Sequence, residues 1–162
     1  MPADTRKLTL ERTFDAPVQE VWDLWTTKEG IEAWWGPEGF DVTVDDLDLR
    51  PGGQIVYSMS ATGADQIEYM NKAGMPLTTE HRITYTEVDP PRRLGWRQVV
   101  DFVPGVEAYD VDIELVLEPD GESARLVLTF DSMHDDEWTK MMQLGRESEL
   151  EKLERVLAKR AE

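Results

Sequence analysis

"DVDIELVLEPDGESARLVLTFD", Asp110 to Asp131, decides the fold. Val111, Ile113, Leu115 and Leu117 share one face of a first strand, and Leu126, Leu128 and Phe130 share one face of a second. "EPDGES" between them carries the Asp-Gly of a tight turn, so the two strands form an antiparallel hairpin. A sheet built this way is apolar on one face and needs a cover there. The cover follows in sequence: residues from about 135 to 160 read as one long amphipathic helix. Its expected buried stripe is Trp138, Met142, Gly145, Leu150, Leu153 and Leu157.

The same alternation runs back toward the N-terminus. "LGWRQVVDF" aligns Leu94, Trp96, Gln98, Val100 and Phe102; "EHRITYTEV" aligns His81, Ile83 and Tyr85; "GGQIVYSMS" aligns Ile55, Tyr57 and Met59. "DPPRR" is a turn, because Asp89 can bond its own backbone and Pro90 presets the angle. "FDVTVDDLDL" alternates from Phe40 through Val42 and Val44, then slips near Asp45-Asp46 as a bulge would. "RKLTLERTF" is a first strand, with Leu8, Leu10, Arg12 and Phe14 on one face.

Between the first two strands lie two short helices. Pro17 fits the first turn of one, and Val18, Val21, Trp22 and Trp25 form its stripe. Thr26 with Glu29 three residues on matches a capping box for the next, which carries Ile31, Trp34 and Trp35 until Gly36-Pro37 stops it. The order β-α-α-β-β-β-β-β-β-α predicts an α+β protein, one domain over residues 1–162, with an antiparallel sheet and a long C-terminal helix on its inner face.

Bulk composition narrows the function classes. A formal net charge of −17 repels phosphate backbones, so neither nucleic acid nor an anionic membrane is an expected partner. Surface acidity also has the plain use of keeping a protein soluble. No cysteine is present, which excludes disulfides and thiolate-ligated metals. No apolar run has the length of a membrane span and residues 1–20 carry none of signal-peptide type, so the expected location is cytoplasmic.

The pieces "FDAPVQEVWDLWT", "WWGPEGF", "RPGGQIVYSM", "TYTEVDPPRRL" and "LGRESELEKLERVL" occur in an order and spacing that covers nearly the whole chain. In that respect the chain resembles the START-like (SRPBCC) superfamily. Within it, the resemblance is to stand-alone bacterial proteins named after the activator of the heat-shock-protein-90 ATPase. The resemblance implies a helix-grip fold, a curved sheet of about seven strands wrapped around the C-terminal helix, with a cavity in the wedge between them. It also implies that Trp34 and Trp35 lie near the cavity mouth while Trp22 and Trp25 pack as core. Where such proteins often carry Gly-Trp, this chain has Gly145-Arg146. An arginine there is expected to be partly buried and paired with an acid.

Inward-facing positions then supply the candidate ligand-binding residues: Trp34, Trp35, Tyr57, Met59, His81, Tyr85, Trp96 and Phe102, with Trp138, Met141 and Met142 from the last helix. Methionine adapts to apolar guests, although it is also an ordinary core filler. Residues 61–78, "ATGADQIEYMNKAGMPLT", carry a short helix signal in which Asp65 can cap and Ala64, Ile67 and Met70 share a face. That segment is expected either to cover the cavity entrance with Ile67, Met70 and Met75 or to decorate an edge.

The function expected first is binding of a small, largely apolar molecule, with no cofactor, by a monomer or homodimer. An enzyme acting on such a molecule is the alternative, with His81 and a tyrosine (Tyr57 or Tyr85) as its groups and His134, Asp110 or Asp112 as further candidates. None of these residues has the spacing of a hydrolase or metalloprotease motif. "MHDDEW", Met133 to Trp138, superficially resembles a metal cluster, but acids at a helix start are explained by capping and the helix dipole, so no metal is expected. A protein-interaction module with chaperone-activating properties is the third expectation.

Overall fold

The computed structural model describes residues 6–36, 39–101, 103 and 105–160. The elements run β1 (Lys7–Phe14), α1 (Val18–Thr26), α2 (Lys28–Trp34), β2 (Phe40–Leu47), β3 (Gln54–Ala61), α3 (Ala64–Lys72), β4 (Thr78–Asp89), β5 (Arg93–Val100), β6 (Tyr109–Asp120), β7 (Ser123–Asp131) and α4 (Asp136–Arg160). All seven strands join one antiparallel sheet in the order β1-β7-β6-β5-β4-β3-β2. Each strand from β2 to β7 pairs with its neighbour in sequence, and β1 closes onto β7. The α+β helix-grip architecture expected from the sequence is the one observed.

The hairpin that opened the argument pairs Ile113 with Phe130, Leu115 with Leu128 and Leu117 with Leu126. Those six side chains are essentially without solvent exposure. The slip expected at Asp45-Asp46 is a register shift between Val44 and Asp46 against β3. A second shift, between Tyr85 and Glu87 against β5, was not expected; Gly95 stands opposite Glu87 there, and a Cβ on it would meet the Thr86 hydroxyl at 2.8 Å.

The turn between α1 and α2 departs from the expected capping box by one residue. Thr26 ends α1, buried, and its hydroxyl donates to the Trp22 carbonyl at 2.8 Å. Thr27 is the N-cap of α2: its backbone is extended, and its Oγ1 accepts from the Gly30 N–H at 3.1 Å. Gly30 is needed there because a Cβ would sit 2.6 Å from the Asp23 carbonyl and 2.7 Å from the Leu24 Cα. The tight approach sets α2 against α1 and fixes where the tryptophans of α2 point.

At its start, α4 is held by Asp135, whose Oδ1 accepts from the Trp138 N–H at 2.8 Å. Asp136 and Glu137 follow in the first turn and Lys159 and Arg160 occupy the last, so both ends complement the helix dipole. The acidic run of "MHDDEW" is therefore a helix start. Leu150, Leu153 and Leu157 are buried in the core, whereas Trp138 and Met142 are only partly buried against it. Among the described residues no helix is long and apolar enough to cross a membrane.

Candidate functional site

A cavity of about 360 Å³ lies between the inner face of the sheet and the first half of α4. The volume falls at the lower end of the range for small-molecule pockets. Its floor is the inner face of β3, β4, β5 and β6, which contribute Tyr57, Met59, His81, Trp96 and Val111. Trp25 and Trp35 form one wall, and Trp138, Met141 and Met142 of α4 form another. Met70, Met75 and Tyr69 come from α3 and the turn after it. Tyr69 and Met141 are exposed while lining the cavity, so they mark the side on which it opens.

Trp25, Trp34 and Trp35 pack edge to face with one another, and Trp96 lies tilted against Trp25 and Trp35. Trp25 lies 4.5 Å from Trp34 and 5.6 Å from Trp96, centroid to centroid, and Trp35 stands almost perpendicular to Tyr57 at 5.3 Å. Trp34 has no exposed surface, and its indole N–H is spent on the Leu24 carbonyl at 2.7 Å. It borders the cavity at its inner end and supports the other rings that face it. Trp25, expected as core alone, is one of those rings. The indole N–H groups of Trp25 and Trp35 are buried without a hydrogen-bond partner among the described residues.

Tyr85 does not line the cavity. It shares the inner face of β4 with His81, but four residues of extended chain carry it about 13 Å away. There it is buried, and its hydroxyl lacks a partner among the described residues. Phe102 lies outside the described residues. His134 is also elsewhere, with its Nδ1 2.7 Å from the Tyr109 hydroxyl beside the start of α4. Asp112 pairs with Arg97, whose Nε donates to it at 2.8 Å, and both are half exposed. Neither His134, Asp110 nor Asp112 lines the cavity.

In the segment 61–78, α3 forms as expected but is capped by Gly63 rather than Asp65, which falls in the first turn without a capping bond. The cause is the backbone before it: the N–H groups of Thr62 and Gly63 both donate to the Gly39 carbonyl, which pins the cap two residues early. Met70 is buried and reaches the cavity with Met75, while Ile67 does not.

Polar groups in the cavity cluster on one side. His81 stacks on Tyr57 at 5.2 Å with the rings 22° apart, and its Nε2 lies 2.7 Å from the Thr79 hydroxyl. Burial lowers its pKa, only partly opposed by Asp101, so the ring is neutral at pH 7. Burial pushes the Tyr57 hydroxyl well up, with Glu149 adding to the effect and Arg146 opposing it. Arg146 and Glu149 project from α4 into the same region. Burial raises the Glu149 carboxyl, against the pull of Arg146 and Lys152. It disfavours the Arg146 charge too, against the support of Glu149 and Tyr57. Both residues keep some accessible surface, but they face the cavity and lie deep within the protein. Lys152 anchors the α2–β2 corner by donating to the carbonyls of Gly36 at 3.1 Å and Phe40 at 3.4 Å.

Arg146 is half-buried as expected, but it forms no ion pair among the described residues. Its guanidinium carbon sits 4.9 Å from the centroid of the Phe130 ring, and its Nε has no hydrogen-bond partner among the described residues. Arg146 and Glu149 were absent from the sequence-derived candidates for the site. The signal existed: the apolar stripe through Trp138, Met142 and Leu153 requires inward positions near 146 and 149, and charged residues occupy them.

Residues 15–158 match the family model described as activator of Hsp90 ATPase homolog 1-like protein. The chain belongs to this family. Its relatives of known structure share the fold. The AHSA1 protein from Silicibacter pomeroyi is 26% identical with a TM-score of 0.74, over 94% of this chain and 98% of that one. A protein from Arthrobacter aurescens is 21% identical with a TM-score of 0.74, over 94% and 86%. One from Staphylococcus epidermidis is 21% identical with a TM-score of 0.73, over 99% and 94%. No curated protein matches the sequence. Membership of the family thus brings an architecture, and any activity has to be argued from the cavity itself.

Proposed function

We propose that the protein binds a small, largely apolar molecule in the cavity between the sheet and α4. The observation that carries this reading is the lining: tryptophan, tyrosine and methionine side chains from two strands and four helices converge on one space of about 360 Å³. A core that only had to be stable would fill that space, because interiors pack to crystal-like density. Methionines at the opening suit guests of varied shape.

The test uses N-phenyl-1-naphthylamine, a neutral apolar fluorophore. Saturable one-to-one binding is expected. In Met142→Trp, which places an indole in the space, affinity should fall about tenfold or more, the equivalent of roughly 1.4 kcal/mol. Absence of saturable binding, or equal binding by the filled variant, overturns the proposal.

Catalysis is the second reading, favoured by one observation: a neutral His81 lies against Tyr57 on the cavity floor. The tyrosine of such a pair would be Tyr57, since Tyr85 is remote. A bound molecule recovered chemically unchanged after incubation favours binding; conversion that is lost in His81→Ala favours catalysis.

A further inference from the structure

We propose that the molecule bound in the cavity carries one anionic oxygen group, of the carboxylate class, seated against the guanidinium of Arg146 beside the Tyr57 hydroxyl. The inference rests on the binding function above and specifies its ligand. Its starting point is a contrast among the arginines. Arg6, Arg50, Arg82, Arg93, Arg97 and Arg125 stand in water, and each pairs with a carboxylate. Arg146 lines the cavity, where pairing matters most, and no described carboxylate comes within ion-pair distance. This occurs in a chain with 34 acidic and 17 basic residues, where an acid is the easiest partner to find.

A buried cation without a partner is costly, and so is a buried donor without an acceptor. The Phe130 ring under the guanidinium recovers part of that cost and fixes the plane of the group. Ring contact on the face leaves the donors at the edge unspent, and the edge is what a carboxylate recognises. Glu149 offsets the charge at longer range without bonding to it, and Lys152 is committed to two backbone carbonyls. Lys152 is flanked by both Glu149 and Asp41, so Arg146 is the cation of the cavity wall left without a bonded acid among the described residues. A neutral acceptor on the ligand would satisfy a donor but leave that charge unpaired; an anionic oxygen satisfies both. A bare inorganic anion fits poorly, because most of the remaining lining is aromatic and aliphatic and would strip its hydration without replacing it. An apolar body with a single acidic head fits both parts of the cavity.

The experiment compares two probes with the same apolar body: 8-anilinonaphthalene-1-sulfonate, whose sulfonate stands in for the acidic head, and N-phenyl-1-naphthylamine, which lacks it. Titrations at about 150 mM salt screen the acidic surface beyond about 8 Å. The wild-type protein should prefer the anionic probe by about tenfold or more, the scale of one charge-assisted hydrogen bond. Arg146→Met should abolish that preference, read as the ratio of the two affinities within one variant, so that any change of the cavity common to both probes cancels. Equal or weaker binding of the anion by the wild type overturns the inference without reference to any variant, as does a preference that survives in Arg146→Met. In both cases saturable binding of the neutral probe leaves the binding function standing. Failure of both probes to bind overturns the two together.

Discussion

The two halves of α4 do different work with the same helix. From Leu150 to Leu157 the inward stripe is leucine, fully buried against the sheet. From Trp138 to Glu149 it holds a tryptophan, a methionine, a glycine, an arginine and a glutamate, all bordering the cavity. Backbone geometry does not separate the halves, since the helix runs unbroken from Asp136 to Arg160. The side chains do. One half spends its inward face on holding the sheet; the other leaves space and lines it with groups that cost stability. The second arrangement is affordable because the first is so well packed.

Truncation in the packed half should give the largest effect. Leu153 has no exposed surface, so Leu153→Ala is expected to cost about 2–5 kcal/mol in chemical denaturation. A loss under about 0.5 kcal/mol, the range of surface sites, would erase the distinction between the halves.

The cavity half should respond to pH where the packed half does not. Burial raises the folded-state pKa of Glu149, against the pull of Arg146 and Lys152. Above that pKa the folded protein holds an ionised carboxylate in a poor environment, and stability falls as pH rises through it. Glu149→Gln should therefore be more stable than wild type by about 1 kcal/mol at pH 8, the central size of a point-mutation effect. The advantage should shrink as pH falls toward about 4.3, the unfolded value. His81 works in the opposite sense. Its folded pKa is lowered, so the unfolded chain binds the proton more readily and wild-type stability falls as pH drops below about 6.5. His81→Gln should lack that part of the loss. Denaturation curves of wild type and both variants between pH 5 and 8 test the pair; parallel pH profiles would mean that neither group feels the cavity.

Alternation and the hairpin turn made the sheet legible, since period-two patterns in all seven strands leave little choice of topology. The same periodicity placed His81 and Tyr85 on one face, but it carries no information about position along a strand. That is why one reaches the cavity and the other does not. The shift between Tyr85 and Glu87 was illegible in β4 itself because the glycine that accompanies it, Gly95, lies on the partner strand opposite Glu87, and only the register shows the two together. The cap at Thr27 was missed because Thr26 and Thr27 offer the same hydroxyl, and only the fold decides which one turns back onto α1. Arg146 could be recognised as a departure from the family pattern. Its lack of a partner depends on which acids come near it in space, and that is a property of packing rather than of sequence.

The smallest effect should come from Met142, one helical face away from Leu153 in kind though not in position. Both are inward residues of α4, and their side chains have similar volumes. Cost on truncation has two parts, the transfer of the lost atoms and the new empty space left behind. At Leu153 both apply in full, because neighbours surround it on every side. At Met142 the side chain is only partly buried and borders a space that already exists. Removing it widens an opening that reaches solvent, so it creates no sealed void and forfeits contacts on one side only. Met142→Ala should cost less than about 1 kcal/mol, at or below the ordinary size of a substitution. The same change should weaken N-phenyl-1-naphthylamine binding measurably, because a wall of the site is gone. A stability loss as large as that of Leu153→Ala would mean that the first half of α4 is packed like the second, and the cavity would lose its standing as a built feature.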